Sequence, residues 1–415
     1  MTVSHTPADA RDVNVDYDLI REHIDQLPWC ALATTGRSGT DFFQSLLDSH
    51  PEIAVYNGTN FFYIFWDNAQ TVQHDGPLVA EHIVDEYIGA NIQKLVSRYD
   101  TFERKNELGE NGEQDVDVDV TLFRRHVLGL LGEKPVSSRN FLTAVVAAYD
   151  MCLGRDMMLK KAFLYHAHRI GRTLRFIEEF PGSKVICMIR DPRANFVSGV
   201  EHWRRFEPKT DNPAYPIYII WRALDEMAEL RALSAGSLAV LRLEDLGDRA
   251  TLEAFCRWVG ISYDDCMSRS TWGGLRWWGD RLSTKKVPKD EPGYSPSMTR
   301  NSWESRLYGY DKFVLNHILA PMLSRYDYPL GFGSHRAWAP VVALVILFPS
   351  TYEWRFLKPG YLLRTFARCE FRKLLRSGWH PLRRMSLYYR WLFRRHGGEY
   401  FALPMIGKDI TRSGT

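Results

Sequence analysis

Residues 29–41 read Trp29-Cys30-Ala31-Leu32-Ala33-Thr34-Thr35-Gly36-Arg37-Ser38-Gly39-Thr40-Asp41. Trp29–Thr35 is a short apolar run of the kind that makes a buried parallel strand. A glycine-bearing turn follows. Beyond it, Asp41–Ser49 sets Phe42, Phe43, Leu46 and Leu47 at helical spacing, and Pro51 ends the helix. A strand feeding such a loop into a helix N-terminus makes an anion site, because free backbone N–H groups and the helix dipole point at one spot. Gly36 and Gly39 let the backbone come close to a phosphate. Arg37 adds a fixed positive charge, and Ser38 and Thr40 add hydroxyl donors. The G-x-x-x-x-G-K-[ST] loop of ATPases and GTPases is absent. The plainer alternative is an ordinary strand-to-helix turn with Thr40 as N-cap.

The alternation recurs outward from this unit. Lys184–Ile189 and Leu238–Leu243 read as further buried strands, and Phe141–Met151, Ala162–Phe180, Asn195–Phe206 and Thr251–Gly260 as helices. Pro181-Gly182 breaks the chain before Lys184. Residues 103–119 are charged and glycine-bearing, and read as an exposed loop. Alternating strands and helices predict an α/β fold with a central parallel sheet covered on both faces. The chain divides into a polar lead-in with one short helix (1–27), the α/β domain (28–335) and a C-terminal extension (336–415).

The 415 residues are 45% hydrophobic and 25% charged, which excludes a disordered chain or a fibre. The net charge of +3 argues against a general nucleic-acid binder, but it averages unlike parts. Residues 355–396 alone carry +11 and residues 1–354 carry −8. None of the six cysteines forms a C-x-x-C pair, and no His/Cys group has zinc spacing, so no metal is expected. Buried free thiols and a reducing cytoplasm fit that pattern. The N-terminus lacks the apolar stretch of a signal peptide. Trp338–Phe348, the longest apolar run, has 11 residues against the ~20 of a membrane-spanning helix.

A second anion element follows the strand Lys184–Ile189. It reads Arg190-Asp191-Pro192-Arg193-Ala194-Asn195-Phe196-Val197-Ser198. Arg190 stands at the carboxyl end of a parallel strand, where open α/β sheets bind ligands. Arg190 and Ser198 could grip one phosphate together. The alternative is a local Arg190–Asp191 ion pair with Ser198 in solvent.

Together, Gly36-Arg37-Ser38-Gly39-Thr40 and Arg190-Asp191-Pro192-Arg193…Ser198 resemble the PAPS-dependent sulfotransferase family, in particular bacterial members related to carbohydrate and tyrosylprotein sulfotransferases. The resemblance runs through most of 29–328. Asp48-Ser49-His50-Pro51-Glu52 resembles the family's D-x-H-P-[DE], and Phe180-Pro181-Gly182-Ser183-Lys184 its F-P-x-[AS]-K. Leu243-Glu244-Asp245-Leu246 resembles its Y-E-D-L. Trp277-Trp278-Gly279-Asp280 and Arg300-Asn301-Ser302-Trp303 resemble its late W-x-G-[DN] and G-R-W stretches. The resemblance implies a P-loop nucleotide-kinase-like three-layer fold and sulfuryl transfer from PAPS, with PAP as product. It assigns Gly36–Asp41 to the 5′-phosphosulfate and the Arg190…Ser198 pair to the 3′-phosphate, with Arg300 and Asn301 closing over the latter.

Sulfuryl transfer is an in-line displacement, so the protein must align donor and acceptor and neutralise the leaving phosphate. Arg37 is placed for that. The resemblance implies a second cation from Lys160-Lys161, with Lys161 preferred, although the family's flanking Glu and Pro are missing. Many members carry a glutamate base after the first helix; here Tyr56-Asn57-Gly58-Thr59-Asn60 has no carboxylate. The base is therefore sought among His166, His168, Asp67 and Asp280, with His166 first. Asp41 also departs from the family, which has a hydroxyl there. Its carboxylate suits a helix start and would repel a phosphate unless turned outward.

In the extension, basic residues interleave with aromatics from Trp354 to Arg395, the composition of an interfacial helix on an anionic membrane. Packing of the aromatics on the body is the alternative. Two readings of function remain. One is a sulfotransferase on the cytoplasmic side, moving a sulfuryl group to a hydroxyl or amine of a carbohydrate, glycolipid or other amphiphile. The other is a PAPS- or PAP-binding scaffold without catalysis.

Overall fold

A computed structural model describes residues 15–34, 36–72, 78–96, 107–206, 214–233, 237–279, 303–393 and 403–410. Five strands build the central sheet: β1 (Trp29–Thr34), β2 (Ile53–Val55), β3 (Ala162–Arg169), β4 (Lys184–Ile189) and β5 (Leu238–Arg242). Every pairing is parallel and the order is β2-β3-β1-β4-β5. All six residues of β1 are buried, as a central strand covered on both faces requires. The chain runs from β1 to one side of it for β3 and to the other for β4. That reversal leaves a crevice above the carboxyl end of β1.

Helices flank the sheet. In chain order they are α1 (Tyr17–Asp25), α2 (Thr40–Leu47), α3 (Phe62–Val72), α4 (Ala80–Leu95), α5 (Val120–Leu131), α6 (Ser138–Cys152), α7 (Thr173–Glu179), α8 (Pro192–Phe206), α9 (Ala214–Leu233) and α10 (Arg249–Val259). A two-stranded hairpin, β6 (Thr271–Trp272) and β7 (Leu275–Arg276), precedes α11 (Gly309–Ile318) and α12 (Ala320–Arg325). The α/β fold with a central parallel sheet is therefore as expected.

The largest departure from expectation is at 162–180. That stretch is not one helix: its first half is β3, a 3-10 turn over Ile170–Arg172 follows, and only Thr173–Glu179 is α-helical. Ala162–Ala167 is buried at every position, and a fully buried apolar run has no periodicity to separate strand from helix.

The extension forms α13 (Ala339–Val345), α14 (Trp354–Leu357), α15 (Pro359–Ala367) and α16 (Phe371–Phe393). It is built onto the body. Trp391 of α16 meets Trp221 of α9 edge-on, with ring centroids 5.1 Å apart. Residues 404–406 join the outer edge of β5: Val240 N donates to Pro404 O (2.8 Å) and Ile406 N donates to Val240 O (2.9 Å). The edge that a parallel sheet would leave open is thereby covered. Among the described residues no helix is long and apolar enough to cross a membrane.

One arginine of the basic stretch is wholly internal. Arg384 (2% exposed) donates from Nε to both oxygens of Glu353 at 2.9 Å, and its other nitrogens reach the carbonyls of Ile346 (3.0 Å) and Phe348 (2.8 Å). It ties α16 to the turn before α14. Arg384→Ala strands the Glu353 carboxylate, so unfolding by urea followed by circular dichroism is expected to show a loss of about 3–5 kcal/mol.

Candidate active site

The loop after β1 owes its shape to three left-handed residues: Gly36 (φ 86°), Arg37 (φ 49°) and Gly39 (φ 84°). Glycine tolerates this region and arginine pays for it, at about 1–2 kcal/mol. Both glycines are also required by packing. A Cβ on Gly36 would lie 2.5 Å from Ile219 Cγ2, and one on Gly39 would lie 2.6 Å from Leu243 Cδ1. Gly39, not Thr40, occupies the N-cap position, and Thr40 opens α2. Successive backbone N–H groups in such turns form an anion-binding concavity.

Inside the loop runs a chain of hydrogen bonds. Gly36 N donates to Thr34 Oγ1 (2.9 Å), Thr34 Oγ1 and Ser38 Oγ are 2.5 Å apart, and Ser38 Oγ donates to the Met188 carbonyl on β4 (2.8 Å). Since Ser38 gives its proton to Met188, Thr34 is the donor in the middle link. The Ser38 hydroxyl, expected to face a phosphate, instead fastens the loop to the sheet, and the side chain is fully buried.

Arg190 follows β4 directly and is 8% exposed. Asp191 does not serve as its local partner. That carboxylate is gripped by Arg193, through Nε at 3.0 Å and Nη2 at 2.7 Å, and Arg193 in turn lies over the Trp303 ring at 4.1 Å. Burial lowers the basicity of the Arg190 guanidinium. Glu244 and, more weakly, Asp191 counter this, while Arg306 and Arg37 press in the same direction as burial. Three arginines thus sit within electrostatic reach, a costly arrangement that a polyanion would relieve. Glu244 is held by the Asp191 N–H (3.0 Å) and the Tyr328 hydroxyl (3.1 Å).

These elements open on one cavity of about 710 Å³, within the range of about 300–1,000 Å³ usual for ligand pockets. The phosphate loop from Gly36 to Asp41, Arg190, Ser198 and Arg306 all line it. Asn195, Ser198 and His202 present one face of α8 to it, spaced three and four residues apart.

The sequence profile described as "Sulfotransferase family" matches residues 33–265, more than half of the chain. The chain belongs to the sulfotransferase family. Members transfer sulfuryl groups, generally from PAPS. No curated protein matches the chain. Among solved structures, it is similar to the sulfotransferase domain of the Synechococcus PCC 7002 olefin synthase. The identity is 15%, with 73% of this chain and 96% of that one covered and a TM-score of 0.42. It is also similar to the sulfotransferase domain of the curacin biosynthetic pathway, at 12% identity, with 74% and 99% covered and a TM-score of 0.39.

Two expected catalytic residues of this sulfotransferase fall elsewhere. Lys161 precedes β3, at the end of the strand opposite the cavity, and is half exposed in an ion pair with Glu52 at 2.5 Å. Lys160 beside it is buried against Asp150 (2.8 Å). Neither can reach a sulfonate in the crevice, because a strand of eight residues rising about 3.3 Å each lies between. His166 is buried within β3, with Nδ1 2.7 Å from Gln44 Oε1 and 3.9 Å from Asp41 Oδ1, and is not among the lining residues. His168 does line the cavity. A bulge lets Leu32 pair with His166 and Ala33 with His168, leaving Ala167 over, and His168 adopts a left-handed φ of 62°. Bulges of this kind re-aim side chains beside active sites. Asp41 is among the lining residues, with Oδ1 buried 3.9 Å from His166 Nδ1. Asp67 is ion-paired with Arg175 on the exposed surface. Arg300, Asn301 and Asp280 lie outside the described residues.

Sequence reading missed Arg306, Arg169, Arg172, Arg222, Trp203 and Trp277 among the lining residues. Spacing on α8 could have found Asn195 and His202. One family-like motif, Asp48–Glu52, turns out to be structural: Asp48 accepts from Gly273 N (3.1 Å) and Gly274 N (2.8 Å), and His50 bonds to the Ser262 carbonyl (2.9 Å). Among the described residues no group of three His, Cys, Asp or Glu side chains gathers as a metal site. Ser38→Ala removes the acceptor of the Thr34 hydroxyl proton and the side-chain hydrogen bond to the Met188 carbonyl, and thermal unfolding without ligand is expected to show a loss of about 1–3 kcal/mol.

Proposed function

We propose that the protein transfers a sulfuryl group from PAPS to a hydroxyl or amine on an amphiphilic acceptor such as a glycolipid. The observation that carries this reading is the phosphate loop sharing one cavity with Arg37, Arg190 and Arg306. Three cations around a pocket suit a nucleotide that bears a 3′-phosphate and a 5′-phosphosulfate. When bound, PAPS supplies the sulfuryl group; the rest falls to the chain. The loop N–H groups and Arg37 hold the 5′ end and neutralise the phosphate that departs. Arg190 and Ser198 hold the 3′-phosphate, and Arg306 stands with them where Arg300 was expected. Trp277 lines the same cavity, and its buried indole N–H has no hydrogen-bond partner among the described residues, which suits a base or ribose acceptor atom. In this reading His168 takes the proton of the acceptor hydroxyl, in place of His166, which is left to position Gln44 and Asp41.

Asp41 favours a second reading. A carboxylate beside the phosphate loop opposes an anionic ligand, as in a nucleotide-binding scaffold that has lost transfer. Labelled PAPS and calorimetry with PAP separate the two. Arg37→Ala is expected to lower transfer by about 10³-fold or more while partly sparing PAP affinity, whereas Arg190→Ala weakens PAP binding itself. Tight PAP binding by the unmodified protein without transfer to any of a broad acceptor panel would leave the scaffold standing.

The acceptor class is argued from the extension. Phe371, Leu375, Trp379 and Leu382 form an exposed apolar stripe along α16, with Arg372, Lys373 and Arg383 exposed beside it. The opposite face, with Arg384, Tyr388 and Trp391, is buried. An apolar stripe flanked by cations complements an anionic bilayer surface at the cytoplasmic leaflet. Flotation with phosphatidylserine-containing vesicles is expected to carry the full chain, and Leu375→Glu with Trp379→Glu to abolish this without altering PAP affinity. Equal flotation of the variant removes the membrane from the reading.

A further inference from the structure

The cavity holds a second group of arginines that the donor does not account for. Arg169 ends β3 opposite Thr34 of β1, Arg172 follows in the next turn, and Arg222 projects from α9; all three line the cavity. Two acidic residues line the cavity, Asp41 at the start of α2 and Glu226, one turn from Arg222. Glu226 is already engaged: Oε1 lies 3.4 Å from Arg222 Nε, and Oε2 accepts from Gly171 N at 3.0 Å. Arg172 Nη1 is buried and has no hydrogen-bond partner among the described residues. Arg222 Nε is likewise buried without a hydrogen bond, Glu226 Oε1 approaching it at 3.4 Å as an ion pair only. The Phe61 ring lies against the Arg172 guanidinium, 4.7 Å from its centroid.

Such a group is held at a cost. A guanidinium N–H removed from water without an acceptor is expensive. Burial lowers the basicity of Arg172, and Arg169 and Arg222 lower it further, with Tyr165 and Glu226 opposing them. An oxyanion between the three would satisfy the open donors and the charge at once.

Position decides which oxyanion. The sheet order puts β3 and β4 on opposite sides of β1. Arg190, after β4, and Arg169, at the end of β3, therefore flank the phosphate loop from opposite sides. In the proposed reading the nucleotide extends toward Arg190. In-line displacement requires the acceptor to approach from the side away from the departing phosphate. That is the β3 side, where His168 also stands.

We infer that the acceptor carries an oxyanion of its own, a carboxylate, phosphate ester or sulfate ester, gripped by Arg169, Arg172 and Arg222 so that its hydroxyl meets the phosphate loop. This rests on the sulfotransferase reading for the place of the donor. It adds a requirement that the reading lacks: a neutral alcohol is a poor acceptor even when it is amphiphilic.

The test is calorimetry on the full chain, titrated with inorganic phosphate, sulfate and acetate, first alone and then saturated with PAP. Phosphate or sulfate is expected to bind the PAP-saturated protein, and Arg172→Gln and Arg222→Gln each to weaken that binding about tenfold or more while changing PAP affinity less than twofold. Preference for acetate would point to a carboxylate. Anion binding under PAP that the substitutions leave unchanged overturns the inference and leaves the donor site intact. So does a tenfold loss of PAP affinity in Arg172→Gln, which would give the cluster to the donor. Failure of the unmodified protein to bind PAP would instead sink the sulfotransferase reading. Phosphate binding to that PAP-free protein, lost in Arg172→Gln, would still uphold the anion site. A matched acceptor pair, a phosphorylated alcohol and its neutral parent, gives the independent readout: the KM is expected to differ about tenfold in the unmodified protein and to converge in Arg172→Gln.

Discussion

Neither glycine of the phosphate loop has room for one more carbon. Gly36 is closed off by Ile219 of α9, and Gly39 by Leu243 at the end of β5. These two contacts join the loop to the elements that carry the rest of the site. α9 brings Arg222 and Glu226, and the turn after β5 brings Glu244. The hydrogen bonds from Gly36 through Thr34 and Ser38 to Met188 tie the same loop to β4, and so to Arg190. The loop is thus held from three directions by parts that are distant in sequence. Arg37 keeps a left-handed backbone only because its neighbours are fixed.

Charge follows the same plan. The body excluding the basic stretch is net negative, yet arginines collect on both sides of the loop. The body spends its carboxylates locally to hold particular arginines still. Asp191 takes Arg193, Asp245 takes Arg242, and Glu201 takes Arg306 at one nitrogen. What this leaves in the cavity is a set of guanidinium groups oriented before any ligand arrives, which is how electrostatic catalysis avoids reorganisation.

The strand-loop-helix unit at 29–47 and the Arg190 element were legible because a turn signal and an apolar run bracket each other there. β3 was not. Its residues Ala162–Ala167 carry two aromatics and no breaker, and burial on both faces erases the alternation that marks a strand. Reading it as a helix hid the bulge at Ala167, and with it the reason His168 rather than His166 reaches the cavity. It also displaced Lys161 toward the site, when the strand that follows carries it to the far side. Arg169, Arg172 and Arg222 were invisible for another reason: they meet only once β3 and α9 are packed, and no spacing in the chain joins them. Ser38 shows the converse. Its place in the motif was correct, but its hydroxyl was needed by the fold.

The return of residues 404–406 to the edge of β5 changes what kind of object the extension is. It leaves the body after α12 and is fastened again at the sheet, through Val240, after α16 has packed on α9. A segment pinned at both ends cannot swing as a tether does. Its exposed stripe has one height and one tilt relative to the mouth of the cavity. Whatever surface meets Trp379 and Leu375 fixes the direction from which the pocket is entered.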